Sequence, residues 1–388
     1  MELTGLKYLV VGSGFYGAVM AERIASVLGE RVLVIDRRDH IGGNSWSEID
    51  QESGVEIHKY GSHIFHTSNQ VVWDYLSRFT SFNRYRHRVL TTYRGKVYTM
   101  PINLMTINSY YGINLRPAEV GAFLEKQIRG LGLPVTPANL EEKAMSLIGR
   151  PLYDAFIRGY TRKQWGCDPK ELPASIITRL PVRNLYNDAY FDDLYQGIPL
   201  DGYAAIFRRM LAHPLIEVRL GVDFFELRER VPAETRIIYT GPLDRFFNFK
   251  HGVLGWRTLR FEKEVKDTPD FQGTTVMNYA DEEIPYTRIH EFKHFHPERK
   301  YLEKNPKTVL YHEYSLHAGK DLPPYYPISS TQDRAMLDLY QQERSNHPKV
   351  LFGGRLGSYK YFDMDMAIAA ALKAFDDKIA PSQSIASA

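Results

Sequence analysis

The chain has few of the features that mark secreted, membrane-spanning or nucleic-acid-binding proteins. Cys167 is the single cysteine in 388 residues, which excludes intrachain disulfides and most cysteine-based metal sites. The uninterrupted apolar runs fall short of the roughly 20 residues that a membrane-spanning helix needs. The formal net charge of +3 gives no argument for a nucleic-acid partner or an anionic membrane. We therefore expect a cytoplasmic protein with neither nucleic acid nor membrane among its partners.

The first 45 residues carry the strongest local pattern. An apolar run, a glycine turn, a helical stretch and a second apolar run ending in an acid follow one another. The glycines and the acid are Gly12, Gly14, Gly17 and Asp36, the spacing of the dinucleotide fingerprint. Glycine permits the tight turn and the close approach of backbone to a pyrophosphate at the helix N-terminus, and the acid binds a ribose. The alternative is an incidental glycine turn. Because the first apolar run belongs to this pattern, no signal peptide is predicted.

Two further glycine pairs favour FAD over NAD as the dinucleotide. One pair lies at 42–43, just past the acid, and the other at 353–354, after a short apolar run. FAD-binding domains often begin near the N-terminus and are completed by a C-terminal segment. A helix predicted to begin after Asp363 would bring its positive end to the flavin pyrimidine, which gains negative charge on reduction. For the pair at 42–43 the alternative is an ordinary loop turn, since Gly-Gly is a common breaker.

The patterns along the chain predict an α/β protein with a discontinuous Rossmann-like FAD-binding domain, a helical domain and an antiparallel β-sheet domain. The predicted boundaries are 1–83, 200–245 and 316–388 for the FAD-binding domain, 102–195 for the helical substrate domain, and 84–101 with 246–315 for the antiparallel sheet. Residues 84–101 are predicted to form a hairpin that turns at Gly95. The small, polar tail after Ala380 is predicted to be frayed.

The spacing of the histidines argues against a metal centre. His58, His63 and His66 lie five and three residues apart on a predicted strand and loop, and no cysteine or acid pair accompanies them. The histidines at 290–296 alternate along a predicted strand with a lysine, which we interpret as a solvated face. No metal is predicted.

Rare strings in a fixed order extend over nearly the whole chain. They stand at 11–18, 57–67, 159–166, 180–183, 195–199, 284–288, 324–327 and 352–355. Together they resemble the bacterial UDP-galactopyranose mutase family, isomerases that interconvert UDP-galactopyranose and UDP-galactofuranose with reduced FAD and no net redox change. The resemblance implies that flavin N5 attacks the anomeric carbon, UDP leaves, and a covalent flavin N5–galactose adduct opens before the sugar recloses. It also implies a homodimer whose product serves galactofuranose biosynthesis for cell wall polysaccharide.

The resemblance implies catalytic roles for Arg179, Arg288 and His63. Planar guanidinium forks match phosphate oxygens, so the two arginines would clamp the UDP diphosphate and hold its charge as it departs. Arg179 lies in a segment, 175–181, that resembles the family's mobile loop, whose closure would exclude water. His63 resembles the histidine beside the isoalloxazine.

Other positions match the family's substrate and cofactor sites. The implied substrate-binding residues, besides the two arginines, are Phe156, Tyr160, Thr161, Trp165, Tyr190, Asn278, Tyr326, Tyr361 and His87. The tyrosines among them would donate hydroxyls to the phosphates, and aromatic rings would hold the uridine. The predicted FAD-binding residues are Gly12, Gly14, Phe15, Gly17, Asp36, Arg37, Gly43, Asn44, Tyr60, Gly61, His63, Gly241, Arg355, Tyr361, Asp363 and Met364.

Two positions depart from the family pattern. His87 stands where some members have asparagine, and Ser62 replaces an alanine often found before the flavin-side histidine. The alternative function is an FAD-dependent oxidoreductase of the amine-oxidase type. Such an enzyme requires an apolar substrate cage, whereas this chain has arginines and tyrosines suited to binding a diphosphate.

Overall fold

The computed structural model describes residues 3–179 and 181–380. The strands in these residues are β1 (Tyr8–Val11), β2 (Val32–Asp36), β3 (Ser47–Ile49), β4 (Glu56–His58), β5 (Phe65–Thr67), β6 (Val89–Tyr93), β7 (Lys96–Met100), β8 (Tyr195–Gly197), β9 (Ile216–Leu220), β10 (Arg236–Tyr239), β11 (Trp256–Lys266), β12 (Val276–Tyr279), β13 (Arg288–Glu291), β14 (Thr308–His317), β15 (Tyr326–Pro327) and β16 (Val350–Phe352). The α-helices are α1 (Phe15–Leu28), α2 (Gln70–Ser77), α3 (Leu104–Tyr111), α4 (Val120–Ile128), α5 (Leu140–Leu152), α6 (Gly159–Trp165), α7 (Tyr203–Met210), α8 (Phe224–Leu227), α9 (Leu243–Phe246), α10 (Tyr301–Lys304), α11 (Thr331–Arg344), α12 (Gly354–Ser358) and α13 (Met364–Lys378). Among the described helices, none has the length and apolar character to span a membrane.

A parallel five-stranded sheet with the order β16-β10-β1-β2-β9 forms the first layer. Strands β1 and β2 are buried along their whole length, because helices cover both faces of the sheet. Val10 and Val34 belong to a core cluster with residues of α1, α7 and α13 on one face. Leu9 and Leu33 belong to another with residues of α8, α9 and α11 on the other face. The predicted Rossmann-like α/β fold is confirmed.

A seven-stranded sheet with the order β15-β11-β14-β13-β12-β6-β7 forms the second layer. Its long ribbon pairs β11 with β14 from Arg257↔His317 to Lys266↔Thr308. The predicted hairpin is present as β6 and β7, with Gly95 in the turn at φ 72°. The sheet departs from the predicted antiparallel pattern at one place, since β12 pairs with β6 in parallel. Strand β15 also joins this sheet, although it lies in the segment 316–388 that was predicted to belong to the FAD-binding domain.

Helices α3–α6 surround a separate apolar cluster that includes Leu104, Ile148 and Leu152. Helix α5 is interrupted at Gly149, whose φ of 74° is not helical, and Pro151 follows two residues later. A π-helical turn, Tyr153–Arg158, then leads into α6. Such turns are rare and are frequent at functional sites. The predicted domain boundaries remain a prediction, and the tail after Ala380 lies outside the described residues.

Candidate active site

A long cleft lies along the carboxyl edge of the parallel sheet, where β1, β2 and β10 end. Its volume is about 1240 Å³ when the part open to solvent is counted. Its walls include every predicted FAD-binding residue except Tyr60, Gly61 and Tyr361. Ligands of open parallel sheets bind at this edge. The other predicted cofactor residues, which are scattered between positions 12 and 364, are therefore brought together on one surface.

The glycine turn that opens this cleft requires glycine for two different reasons. A Cβ on Gly17 would lie 1.9 Å from the Gly12 carbonyl oxygen, so this glycine is needed for packing of the turn itself. A Cβ on Gly14 would find its nearest neighbour, the Cα of Gly43, 3.9 Å away. Nothing in the protein fills that space, and it lies at the N-terminus of the 14-residue α1. The residues present therefore fit a dinucleotide pyrophosphate held by backbone N–H groups.

Asp36 lines the cleft at the end of β2 with its carboxylate already engaged. Its Oδ2 accepts hydrogen bonds from the backbone N–H (2.8 Å) and the hydroxyl (2.7 Å) of Ser13. Its Oδ1 accepts from the backbone N–H of Arg38 (3.0 Å). The acid thus fixes the glycine turn in addition to its predicted place near a ribose. Arg38, which the sequence prediction missed, also lines the cleft and lies 4.4 Å from the Tyr60 ring centroid.

A sharp turn at Gly61–His63 brings His63 into the cleft. Gly61 has a φ of 91°, and a Cβ there would lie 2.9 Å from the Phe261 ring. The backbone N–H of His63 donates to Nδ1 of His58 (3.0 Å), and Nδ1 of His63 lies 2.7 Å from the Gly61 carbonyl oxygen. Burial lowers the pKa of His63 to about 4. The ring is therefore neutral at pH 7, with Nδ1–H donating to Gly61 and Nε2 left as an acceptor.

Arg288 occupies the centre of the second sheet beside this turn. The register places it directly opposite Asn278 of β12 and Glu313 of β14, so the three side chains share one face. Its guanidinium donates to the Tyr160 hydroxyl, and its Nε lies 3.1 Å from Oε1 of Glu313. Burial opposes the charge of Arg288, but Glu313 and three neighbouring tyrosines outweigh it and raise the arginine pKa. The Arg288 guanidinium is thus charged and held in one orientation by Glu313 and Tyr160.

Three predicted substrate tyrosines retain their hydroxyl protons near this arginine. Burial raises the pKa values of Tyr190, Tyr326 and Tyr361. The rings of Tyr326 and Tyr361 stack with centroids 5.8 Å apart, and the Arg355 guanidinium lies 5.4 and 5.7 Å from them. His87, which is buried, lies 5.3 Å from the Tyr190 ring. These side chains offer hydroxyl donors suited to an anionic ligand.

The predicted uridine residues lie on the π-helical turn and α6, but not all of them are accessible. Phe156 is only 3% exposed and packs against the rings of Tyr93, Tyr98 and Tyr110. Thr161 is also buried. Trp165 is half-buried against the same apolar cluster. Phe156 therefore packs in the apolar core beneath the predicted uridine residues, whereas Trp165 keeps part of its ring surface exposed to solvent.

Arg179 is the last residue of the 3-10 turn Ala174–Arg179. Its side chain and the following Leu180 lie outside the described part of the chain. Its predicted role in a mobile loop therefore stays a prediction.

The interpretation of 290–296 as a solvated face is wrong. His290 is 1% exposed because Ser62 and the rings of Phe261 and Phe292 pack around it. His296 is fully buried, and β13 ends at Glu291 in a 3-10 turn rather than running on. Lys293 is buried too, and its ammonium donates to the carbonyls of Pro269 and Asn305. A strand whose two faces are both covered has no exposed side to present.

One group of possible metal ligands among the described residues consists of Asp270 with Glu291 and His294 of this same stretch. The Glu291 carboxylate accepts from the backbone N–H groups of Phe271 and Gln272 and from the Thr308 hydroxyl. Its lone pairs thus hold the adjoining loop. The prediction of no metal stays a prediction.

Two further residues of the site were missed from the sequence. Glu313 gave no signal, because a single acid in a strand is ordinary. Lys163 stands inside the string at 159–166, and its ammonium donates to the carbonyl oxygens of Tyr279, Asp281, Ile284 and Tyr286 at 2.7, 2.8, 3.0 and 3.2 Å. These carbonyls extend from the last residue of β12 through the connection to β13, between Asn278 of β12 and Arg288, the first residue of β13. Lys163 thereby fixes the positions of both.

The parallel sheet, the glycine turn and the cleft at its carboxyl edge define a Rossmann-type dinucleotide-binding protein, and residues 10–79 match the model of an NAD(P)-binding Rossmann-like domain. Residues 155–361 match the model of UDP-galactopyranose mutase. A probable UDP-galactopyranose mutase of Klebsiella pneumoniae is 43% identical over 95% of this chain and 94% of its own length. The chain belongs to the UDP-galactopyranose mutase family, whose members are isomerases.

Two other relatives bear on the fold and on the substrate. A dTDP-fucopyranose mutase of Escherichia coli is 40% identical over 95% of this chain and 97% of its own. A crystal structure of reduced UDP-galactopyranose mutase superposes with a TM-score of 0.73 at 18% identity, covering 97% of this chain and 96% of that one, which supports the fold. The Rossmann-like domain and the family together imply a flavin cofactor. They do not favour the amine-oxidase alternative.

Proposed function

We propose that this protein interconverts UDP-galactopyranose and UDP-galactofuranose, with no net redox change. Reduced FAD, bound along the cleft, supplies the nucleophile for the anomeric carbon and thus covalent catalysis. The observation that carries the proposal is the half-buried Arg288, held by Glu313 and Tyr160 on one face of a sheet beside the His63 turn. A preoriented guanidinium matches a diphosphate leaving group better than a small amine or alcohol.

In this proposal the chain's own residues bind and orient the nucleotide sugar. Arg288 and Arg179 hold the diphosphate as its charge grows on departure, which stabilises the transition state. Tyr160, Tyr190, Tyr326 and Tyr361 donate hydroxyls to the same oxygens, because their raised pKa values keep them protonated. Asn278 and His87 contact the sugar. Trp165 contacts the uridine, and the buried Phe156 and Thr161 support that side of the site.

On the cofactor side, the glycine turn would hold the FAD pyrophosphate, with Asp36 and Arg37 at the adenosine end. Gly43, Asn44, Gly241 and Phe15 would line its path. His63, Arg355, Asp363 and Met364 would surround the flavin ring, with Tyr60 and Gly61 supporting the turn behind it. Asp363 occupies the N-cap position of α13, but its carboxylate makes no capping hydrogen bond with that helix, which leaves it able to face the ligand.

The second candidate substrate is dTDP-fucopyranose. The relative that carries this name is nearly as similar to the chain as the UDP-galactopyranose relative, at 40% against 43% identity. The two substrates differ at the nucleoside and at sugar C6, whereas the arginine clamp would serve the diphosphate of either. We favour the UDP sugar because the family model that matches over residues 155–361 is that of UDP-galactopyranose mutase.

The decisive experiment is conversion of UDP-galactofuranose to UDP-galactopyranose by the purified protein, followed by chromatography with and without dithionite. Turnover only after reduction is expected, and an Arg288→Ala variant should retain FAD but lose turnover. Preferred conversion of dTDP-fucofuranose would assign the second substrate. A protein that holds FAD but converts neither sugar would refute the proposal, and wild-type turnover by Arg288→Ala would refute the clamp.

We further propose that the protein works as a cytoplasmic homodimer and supplies galactofuranose for cell wall polysaccharide. The division into an FAD-binding domain, a helical substrate domain and a sheet domain belongs to the same proposal. Size-exclusion chromatography with light scattering tests the dimer, and a monomeric mass would refute it.

A further inference from the structure

A buried polar chain links the flavin-side turn to the phosphate-side arginine. The Ser62 hydroxyl lies 2.6 Å from Nδ1 of His290, and Nε2 of His290 lies 2.9 Å from Oε2 of Glu313. The other oxygen of Glu313, Oε1, lies 3.1 Å from Nε of Arg288. His290 and Glu313 are 1% and 3% exposed. No role was assigned to Ser62, His290 or Glu313 from the sequence.

We propose that His290 is a positioning residue that couples the turn carrying His63 to the diphosphate-binding Arg288, through Ser62 on one side and Glu313 on the other. The consequence is that the redox state of the flavin and the affinity for the nucleotide depend on each other through these side chains. The inference rests on the proposed function, since it takes His63 to lie at the flavin and Arg288 at the diphosphate.

The direction of each hydrogen bond in the chain follows from the charge at its end. Burial opposes ionisation of Glu313, but Arg288 and His290 outweigh it and lower the carboxyl pKa to about 2. An ionised carboxylate only accepts, so Nε2 of His290 carries the proton. Burial lowers the pKa of His290, which leaves a neutral ring with a bare Nδ1. Ser62 must therefore donate its hydroxyl proton to that atom, so both hydrogen bonds of His290 have one defined direction, while Arg288 meets Glu313 as an ion pair.

Each end of the chain lies at a part of the site that a ligand would move. Ser62 stands between Gly61, whose carbonyl holds the His63 ring, and His63 itself, whose N–H is held by His58. A rearrangement of this turn would strain the Ser62 bond to His290. At the other end, a diphosphate that draws Arg288 towards itself would weaken the pull of the guanidinium on Glu313. Because Glu313 binds both His290 and Arg288, a shift at either end reaches the other.

Thermodynamic linkage provides a test that a purely structural role would not pass. If the chain couples the two sites, UDP must bind with different affinity to the oxidised and reduced holoenzyme, and UDP must shift the flavin midpoint potential by the equivalent free energy. We would measure UDP dissociation constants by calorimetry in both redox states, and the midpoint potential with and without UDP. Neither readout requires turnover.

Ser62→Ala removes the donor to His290 at a half-buried position, where folding should survive. We expect the ratio of oxidised to reduced dissociation constants to fall about fivefold or more towards unity, the lower end of typical coupling, and the UDP-induced potential shift to fall in step. His290→Leu should have the same effect, and the double variant should add nothing. Thr308→Val is the matched control, because it removes a buried hydroxyl-to-carboxylate bond (2.7 Å to Glu291) from the same strand β14 without touching the chain. It should leave the ratio unchanged.

The outcomes separate the two proposals. Wild-type holoenzyme that binds no UDP in either state would refute the proposed function. Wild-type holoenzyme that binds UDP equally well in both states, or a Ser62→Ala variant with an unchanged ratio and potential shift, would overturn the coupling role alone. A ratio that falls equally in Thr308→Val would show general destabilisation and would also overturn it.

Discussion

Replacing Lys163 by methionine tests how the connection between β12 and β13 is held. Methionine keeps the length and apolar stem of the side chain but removes the ammonium, whose pKa burial lowers only to about 8, so that it is charged at pH 7. Four carbonyl oxygens between residues 279 and 286 then lose their donor. A buried acceptor left unsatisfied costs about 1–3 kcal/mol. Counting only the two shortest bonds, at 2.7 and 2.8 Å, gives a loss of about 3 kcal/mol in local stability.

Hydrogen exchange measured by mass spectrometry reports this loss directly, since exchange from the native state follows the free energy of local opening. We expect peptides that cover residues 279–287 to exchange about 100-fold faster in Lys163→Met, because 1.4 kcal/mol corresponds to about tenfold. Lys126→Met, at an exposed position on α4, is the control and should leave these peptides unchanged. The dissociation constant for UDP should rise as well, because Arg288, the proposed diphosphate ligand, directly follows this connection at the start of β13. If these peptides exchange as slowly in Lys163→Met as in the control, the ammonium does not stabilise the connection, and water takes its place as hydrogen-bond donor to the carbonyls.

Three further predictions concern the cofactor turn, the buried histidines and the uridine side. Gly14→Ala should purify with little FAD but keep wild-type apoprotein stability, whereas Gly17→Ala should lose both FAD and stability, because its Cβ would lie 1.9 Å from the Gly12 carbonyl oxygen. Flavin absorbance measures the FAD content of the two variants, and thermal melting measures their stability. Full FAD content in Gly14→Ala would contradict the close approach of a pyrophosphate to Gly14. Burial lowers the pKa values of His63 and His87 to about 4 and about 3. Acidification from pH 7 to pH 5 should therefore lower the free energy of unfolding by about 2 kcal/mol for each histidine, because the unfolded imidazoles take up protons that the folded ones do not. Urea unfolding at both pH values checks this, and stability that does not fall on acidification would refute it. Trp165→Ala should weaken UDP binding about fivefold, the value of one aromatic contact, and an unchanged dissociation constant would exclude the base-platform role.

The parts of the fold that were predictable are those with local signatures. The glycine turn, Asp36, the hairpin around Gly95 and the returning strands at 216–220 and 236–239 each follow from a short pattern of residues. The parallel pairing of β12 with β6 does not, because it joins segments almost 190 residues apart and depends on how the two sheets assemble. No local pattern encodes such a neighbour.

The same limit applies to the candidate site. The resemblance located Arg288 and Tyr160, but the residues that hold them, Glu313 and Lys163, became visible only through the register of β13 with β14 and the placement of α6. The burial of His290 was misjudged because alternation along a strand does not tell whether one face or both are covered. Residues that contact a ligand can be recognised from a local sequence motif, whereas the residues that hold them in place are identified only once the sheet is assembled.

The π-helical turn Tyr153–Arg158 accommodates one residue more than an α-helical path of the same rise would hold. Since each residue of an α-helix rotates the chain by about 100°, loss of that one residue would swing Tyr160 and Lys163 away from the second sheet together. The spacing between Leu152 and Gly159 is therefore intolerant of single-residue insertions and deletions. When related chains are aligned, a one-residue gap placed in this interval would assign the tyrosine and the lysine to the wrong columns.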